Sequence, residues 1–167
     1  MKRALLCILF AAACSSYADD INLQIQGSVY ATTCSVSNDT KNKVVDMGAA
    51  PVSDYAASGA SGPWVDFQLS LSDCPASITV VGARFDGEKA AFTASLFANQ
   101  GTGTGIGLEL RKGGNQNSTI MPGSQEFYSP DLQNNVVIPL TARYVRTQEA
   151  LSPGTFQSII QLTFTYR

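Results

Sequence analysis

Apolar residues recur at every second position in segment after segment of the chain. Val65, Phe67, Leu69 and Leu71 form one series, and Thr79, Val81, Ala83 and Phe85 form another. Ile106, Leu108 and Leu110 follow, then Val136, Ile138, Leu140, Ala142 and Tyr144, and finally Phe156, Ser158, Ile160, Leu162, Phe164 and Tyr166. Successive side chains of a strand point to opposite faces, so this period predicts strands with one face buried. The stretches between them are rich in turn residues: 57–63 (ASGASGP), 98–105 (ANQGTGTG), 113–118 (GGNQNS) and Ser152-Pro153-Gly154. No amphipathic helix of ten residues is present, and short strands between Gly, Ser and Asn clusters predict one all-β sandwich domain without repeats or linker. Pro139 lies inside the fourth series and cannot donate to a ladder, so that strand is expected to be an edge there or to carry a bulge. The last alternation runs to the end of the chain, which makes the terminal strand part of the core and its truncation costly.

The first residues follow a different pattern. Lys2 and Arg3 precede an unbroken apolar run from Ala4 to Cys14, and Ser16-Tyr17-Ala18 supplies a small-x-small cleavage site. These are the parts of a secretory signal peptide over residues 1–18. At eleven residues the run is too short to span a bilayer, and nothing after it is longer, so the mature protein is expected to be soluble and outside the cytosol. A lipoprotein reading at Cys14 is opposed by Ala11, which stands where a large aliphatic residue is expected. After the cut, Ile21, Leu23, Ile25, Gly27 and Val29 alternate with Asn22, Gln24, Gln26 and Ser28 without a turn. A long alternating strand at a free terminus needs a sheet to receive it. Periodicity alone makes it the first strand of its own domain, whereas Gly27 hints at close approach by another element.

Composition narrows the chemistry. The 167 residues are 44% apolar and 14% charged, with 11 basic and 13 acidic side chains and no histidine. Removing the leader removes Lys2 and Arg3, leaving 9 basic against 13 acidic side chains, a net charge of −4 that offers no footprint for nucleic acid or an anionic membrane. Without histidine there is no Ser-His-Asp or Cys-His nucleophile and no imidazole metal ligand. Cleavage also removes Cys7 and Cys14, and the two remaining cysteines, Cys34 and Cys74, are the number that makes one disulfide in an oxidising compartment. Closing that loop of 41 residues is worth about 4 kcal/mol by chain entropy.

Sharper chemical signals are weak. GTGTGIG (101–107) lacks the lysine and following helix of a phosphate-binding loop and reads as a hairpin loop. The carboxylates Asp66 with Asp73, and Asp86 with Glu88, fall on solvated strand faces or turns, not across a cleft. Asn38-Asp39-Thr40 and Asn117-Ser118-Thr119 read as turn sequence, and Trp64 as a core or rim residue beginning a strand. No Cys or His ligand set and no calcium-loop spacing remains, so no cofactor is expected. The classes left open by residues alone are a structural or interaction protein, a secreted single-domain lectin or adhesin that binds sugar directly, and, last, a secreted hydrolase.

Several features taken together resemble the subunits of chaperone-usher fimbriae, in particular the small minor subunits near the tip of type 1 pili. They are the signal peptide, the INLQIQGSV extension, Cys34 followed by Cys74 in VDFQLSLSDCP, the RFDG turn at Arg84–Gly87, GIGLELR, PLTARYV and the ending PGTFQSIIQLTFTYR. Residues 46–64 are the part that does not align. The resemblance implies an incomplete immunoglobulin-like β-sandwich missing its final strand, over residues 34–167, preceded by a donor-strand extension over 19–33. Ile21, Leu23, Ile25, Gly27 and Val29 are then the residues offered to the next subunit. Phe156, Ile160, Leu162, Phe164 and Tyr166, with Gly154 and the terminal carboxylate at Arg167, form the chaperone-recognition strand and one wall of the acceptor groove. The implied partners are a periplasmic chaperone, an outer-membrane usher and neighbouring subunits joined head to tail; the implied location is the cell-surface fimbria after passage through the periplasm. A terminal adhesin is not expected, because such adhesins replace the extension with a lectin domain. The resemblance leaves open which neighbours pair with the chain and whether it starts, continues or ends a fibre.

Overall fold

The computed structural model describes residues 24–29, 33–113 and 118–167. The chain divides into two units, Met1–Tyr30 and Ala31–Arg167. In the first, Gln24–Val29 has no assigned secondary structure and exposed side chains; the leader, Ile21 and Leu23 lie outside the described residues.

The regular secondary structure of the second unit is almost wholly strand. In chain order these are β1 (Ser35–Val36), β2 (Val65–Ser72), β3 (Val81–Gly87), β4 (Lys89–Ala90), β5 (Thr93–Phe97), β6 (Ile106–Lys112), β7 (Thr119–Ile120), β8 (Ser124–Tyr128), β9 (Val136–Arg146) and β10 (Ile160–Tyr166). A single helical turn, α1 (Asn38–Lys41), starts at Ser37, whose hydroxyl accepts from the Thr40 N–H, so Asn38-Asp39-Thr40 is helical and not a turn. A short 3₁₀ turn spans Val52–Tyr55. One sheet has the order β1-β2-β9-β6-β5-β4, with β7 also pairing with β6; the other has the order β10-β3-β8. All pairings are antiparallel.

The core lies between the two sheets, and the period-two residues fill it. Leu69 and Leu71 of β2, Val81, Ala83 and Phe85 of β3, Leu108 and Leu110 of β6, and Val136, Ile138, Leu140 and Ala142 of β9 are all buried in one cluster. Cys34 and Cys74 are bonded and buried, joining the residue before β1 to the loop after β2 beside the Ser35–Ser72 pair.

Three expectations are corrected. β9 is an interior strand flanked by β2 and β6, and its register with β2 runs unbroken through the Gln68–Pro139 pair, so Pro139 marks neither an edge strand nor a bulge. The Pro139 carbonyl accepts from Gly113, the residue just past β6, at 2.9 Å; the donor that proline lacks would have pointed there, where the β6 pairing ends. The last strand is assigned only from Ile160, not from Phe156, because residues 155–157 bond to the 99–103 loop before β3 becomes available. The inward side chains of β10 are half-buried and do not form finished core.

Candidate functional site

β10 is an edge strand, and that defines the site. Arg167 and Val80 exchange both backbone hydrogen bonds, at 2.9 and 3.0 Å. In an antiparallel ladder the hydrogen-bonded pairs alternate, so Thr165, Thr163 and Gln161 also bond toward β3, whereas Tyr166, Phe164, Leu162 and Ile160 aim their N–H and C=O groups at the free edge. The same four residues turn their side chains inward, where each is only half covered. Unpaired backbone and half-buried apolar side chains thus run side by side along one border of the sandwich.

Beside this border lies a groove with a volume of about 1570 Å³. Phe67 and Leu69, Leu108 and Leu110, and Leu140, Ala142 and Tyr144 make its floor, and Phe85, Ile160, Leu162 and Phe164 line it from the β3 and β10 side. The opposite bank is Val36 and residues 40–50. In that bank Lys43, Val45 and Met47 are half-buried while Asn42, Val44 and Asp46 are exposed, a strand-like alternation without strand pairing. Its polar ties to the sandwich include the Thr40 hydroxyl, which accepts from the Ser70 N–H at 2.8 Å, and the Tyr144 hydroxyl, which donates to the Gly48 carbonyl at 3.2 Å. The Tyr144 ring packs edge-on against Phe156, with centroids 4.7 Å apart, and against Tyr55 at 6.4 Å. Burial, then Tyr55 and Asp46, raise the Tyr144 pKa above its ordinary value.

The two banks run in opposite directions. The first leaves β1 near the disulfide and reaches Tyr144 at Gly48, whereas the second passes Phe156 beside Tyr144 and ends with Tyr166 opposite Val81. A strand laid between them is parallel to one and antiparallel to the other.

The start of the second bank is held by a polar clasp. Thr155 and Gln157 direct their backbone groups to the 99–103 loop: Gly103 N–H donates to the Thr155 carbonyl (3.0 Å), Gln100 N–H to the Gln157 carbonyl (2.7 Å) and Thr155 N–H to the Thr102 hydroxyl (2.9 Å). Gly101 and Gly154 are required here by close approach, since a Cβ on Gly101 would overlap the Thr155 carbonyl and one on Gly154 the Gly103 backbone. The GTGTG run is therefore a packing loop.

Among the residues expected at the acceptor site, Ile160, Leu162 and Phe164 line the groove, and Tyr166 is half-buried against the core. Gly154 and Phe156 also line it but precede β10. Arg167 is exposed, its backbone bonded to Val80 and its carbonyl also to Thr79. Of the expected donor residues, Ile25 and Val29 are exposed at 85% and 101%, and a Cβ on Gly27 would meet nothing within 4 Å. Sequence reasoning missed Val36, Met47, Phe67, Leu108 and Tyr144 as groove residues, although the parity of β2, β6 and β9 puts their alternate residues on the same inward face.

The remaining candidates sit elsewhere. Trp64 lies just before β2 on the outward face, with the guanidinium groups of Arg143 and Arg111 at 4.3 and 5.1 Å from its ring centre. Glu109, 7% exposed, pairs with both, at 2.6 Å to Arg111 and 2.7 Å to Arg143. Asp66, Asp73 and Glu88 are exposed, and Asp86 is bonded by Arg84 at 2.9 Å. Among the described residues no cluster of three metal-ligating side chains occurs, and no helix is long and apolar enough to cross a membrane.

The family model described as "Fimbrial protein" matches residues 23–167. Protein FimG of Escherichia coli (strain K12) is 32% identical over 160 residues, covering 95% of this chain and 92% of the relative. The S-fimbrial adhesin protein SfaS of Escherichia coli O6:K15:H31 (strain 536 / UPEC) is 34% identical over 161 residues, covering 96% and 91%. Among solved structures, the crystal structure of the P pilus rod subunit PapA superimposes with a TM-score of 0.69 at 20% identity, covering 80% of this chain and 99% of that one.

Proposed function

The chain belongs to the fimbrial protein family, the structural subunits of surface pili, and from that premise we propose that it is a link that both accepts and donates a strand. The accepting site is the groove beside β10. The observation that carries the reading is that β10 pairs on one edge only while its inward side chains stay half covered. A sheet edge with free N–H and C=O groups and pockets for alternate side chains is what strand addition needs. Ile160, Leu162, Phe164 and Tyr166, preceded by Gly154 and Phe156 and ending at Arg167, make one wall, and the unpaired bank 42–48 makes the other.

The donated strand is the extension 19–33, with Ile21, Leu23, Ile25 and Val29 as its alternate apolar residues and Gly27 where the receiving groove leaves no room for a side chain. Exposure of Ile25 and Val29 supports this, because burying such side chains is worth about 1.5–3 kcal/mol each before ordering costs. Residues 1–18 direct export. In the periplasm a chaperone fills the groove until an outer-membrane usher passes the subunit to its neighbour. The role is structural, with no catalytic site.

The test is thermal unfolding of mature protein lacking residues 19–30, with and without synthetic peptides from the N-terminal extensions of fimbrial subunits of the same bacterium. A large rise in midpoint with one of the peptides is expected. A cooperative, high midpoint that no peptide changes would mean a self-sufficient sandwich and overturn the reading.

A further inference from the structure

We propose that Asn99 is a positioning residue that lengthens the strand-accepting edge, carrying it from Ile160 back to Phe156; this rests on the proposed function. The Asn99 side chain uses its full hydrogen-bonding capacity. Its amide nitrogen donates to the carbonyls of Gly103 (2.6 Å) and Thr155 (3.1 Å), and its amide oxygen accepts from the N–H groups of Gly101 and Gln157, both at 2.8 Å. The bonds to Thr155 and Gln157 straddle Phe156. One donor to residue i−1 and one acceptor from residue i+1 is the pattern by which a neighbour in a parallel ladder brackets residue i. The carboxamide of Asn99 thus takes the place of a strand's peptide group where β3 has ended.

The consequence is directional. With Thr155 and Gln157 bonded to the 99–103 loop, the backbone of Phe156 and Ser158 has the parity of Ile160, Leu162, Phe164 and Tyr166. Its N–H and C=O groups turn toward the groove and have no partner among the described residues. An incoming strand therefore meets six alternate residues presenting backbone groups, where the assigned strand β10 supplies four. Phe156 is fixed at the same time with its ring on Tyr144 in the groove floor. Alanine at position 99 removes the surrogate peptide group, leaves the Thr155 carbonyl and Gln157 N–H without that partner, and lets the extra edge fray, while β10 on β3 is untouched.

The test reads length dependence, which a general loss of stability does not alter at one end only. A fluorescent form of the subunit-extension peptide that most raises the melting midpoint is shortened two residues at a time from either end, and each version is titrated against full mature chain and Asn99→Ala at low concentration. In the wild type, the truncation that clears Phe156 and Ser158 is expected to weaken binding about tenfold. In Asn99→Ala that step should shrink to about twofold or less, with the steps from the other end unchanged. Hydrogen exchange at the Gln157 amide, read on the same proteins without peptide, should accelerate at least tenfold while Thr163 and Thr165 stay protected. Identical truncation profiles in both proteins, or an unchanged Gln157 rate, would overturn the assignment. Should Asn99→Ala not fold, Asn99→Asp keeps the acceptor for the Gln157 N–H and loses the donor to the Thr155 carbonyl, so the truncation profile alone decides: a shrunken step at Phe156 and Ser158 supports the assignment and an unchanged one overturns it. If no peptide binds even the wild type, the loss falls on the proposed function, and the Gln157 exchange rate decides the role of Asn99.

Discussion

Replacing Phe164 with alanine should cost more when the groove is filled than when it is empty, and the difference measures its contact with the incoming strand. A fully buried Phe→Ala change costs about 3–5 kcal/mol in a core. Phe164 is half-buried in the open groove, so about 2 kcal/mol of that is felt by the chain alone. The other half is gained only when a strand covers the ring. Phe164→Ala should therefore weaken strand binding by about 2 kcal/mol, roughly thirtyfold. Urea unfolding of the protein lacking residues 19–30, with and without saturating peptide, measures both quantities in one cycle. Phe85→Leu is the internal control: Phe85 lines the same groove but is already 0% exposed, so its cost should be the same in both states. Thr163→Ala, on the exposed face of β10, should change neither. Equal destabilisation by Phe164→Ala in the filled and empty states would refute the claim that the strand lies over this ring.

Four further outcomes are expected. Changing Cys34 and Cys74 to serine should lower stability by about 4 kcal/mol, since the bond spans 40 positions, and a reductant titration of the wild type should reproduce the loss. Gly154→Ala places a Cβ into the Gly103 backbone and should lower the melting midpoint by several degrees for a cost of about 1–3 kcal/mol, with faster exchange at Thr155. Glu109→Gln leaves Arg111 and Arg143 without their shared carboxylate and should cost about 1–3 kcal/mol in chemical denaturation, with a change in Trp64 fluorescence. Burial and then Glu126 push the Tyr128 pKa up to about 12, so the unfolded chain, titrating near 10, loses its proton first. Stability should fall as pH rises from about 10 and finish falling near 12, read by unfolding midpoints beside absorbance titration, and Tyr128→Phe should remove its part of that fall.

The alternation of β2, β3, β6 and β9 was legible because burying one face of a strand leaves a period-two record in the sequence. β5 and β8 were not, since Thr93–Phe97 and Ser124–Tyr128 are short and carry no sustained apolar alternation. Pro139 misled for a local reason: the rule against proline in an interior strand concerns one missing donor, and here that donor faces the end of β6. The groove itself left no mark in the residues that line it. Phe164 and Leu162 alternate like any core strand, and only the absence of a neighbour, a property of the whole sheet order, shows that their burial is unfinished. Sequence reached the groove through the family resemblance and not through periodicity. Asn99 was hidden differently, because the two partners that matter to the edge, Thr155 and Gln157, lie more than fifty positions away and are bonded through backbone atoms.

An edge such as β10 is a hazard in a free protein. It presents unpaired donors and acceptors beside apolar side chains, and charged side chains or bulges that would blunt it are missing from Ile160–Tyr166. Strand addition removes the hazard by completing the core. Because the proposed donor and acceptor are different parts of one chain, filling a groove leaves an extension to fill the next. The contact is heterologous and has no built-in closure, so it generates an open fibre. Growth at the groove end continues as long as subunits with extensions arrive. A partner that covers the groove while bringing no groove of its own stops it, and each subunit waiting for its neighbour needs such a temporary cover.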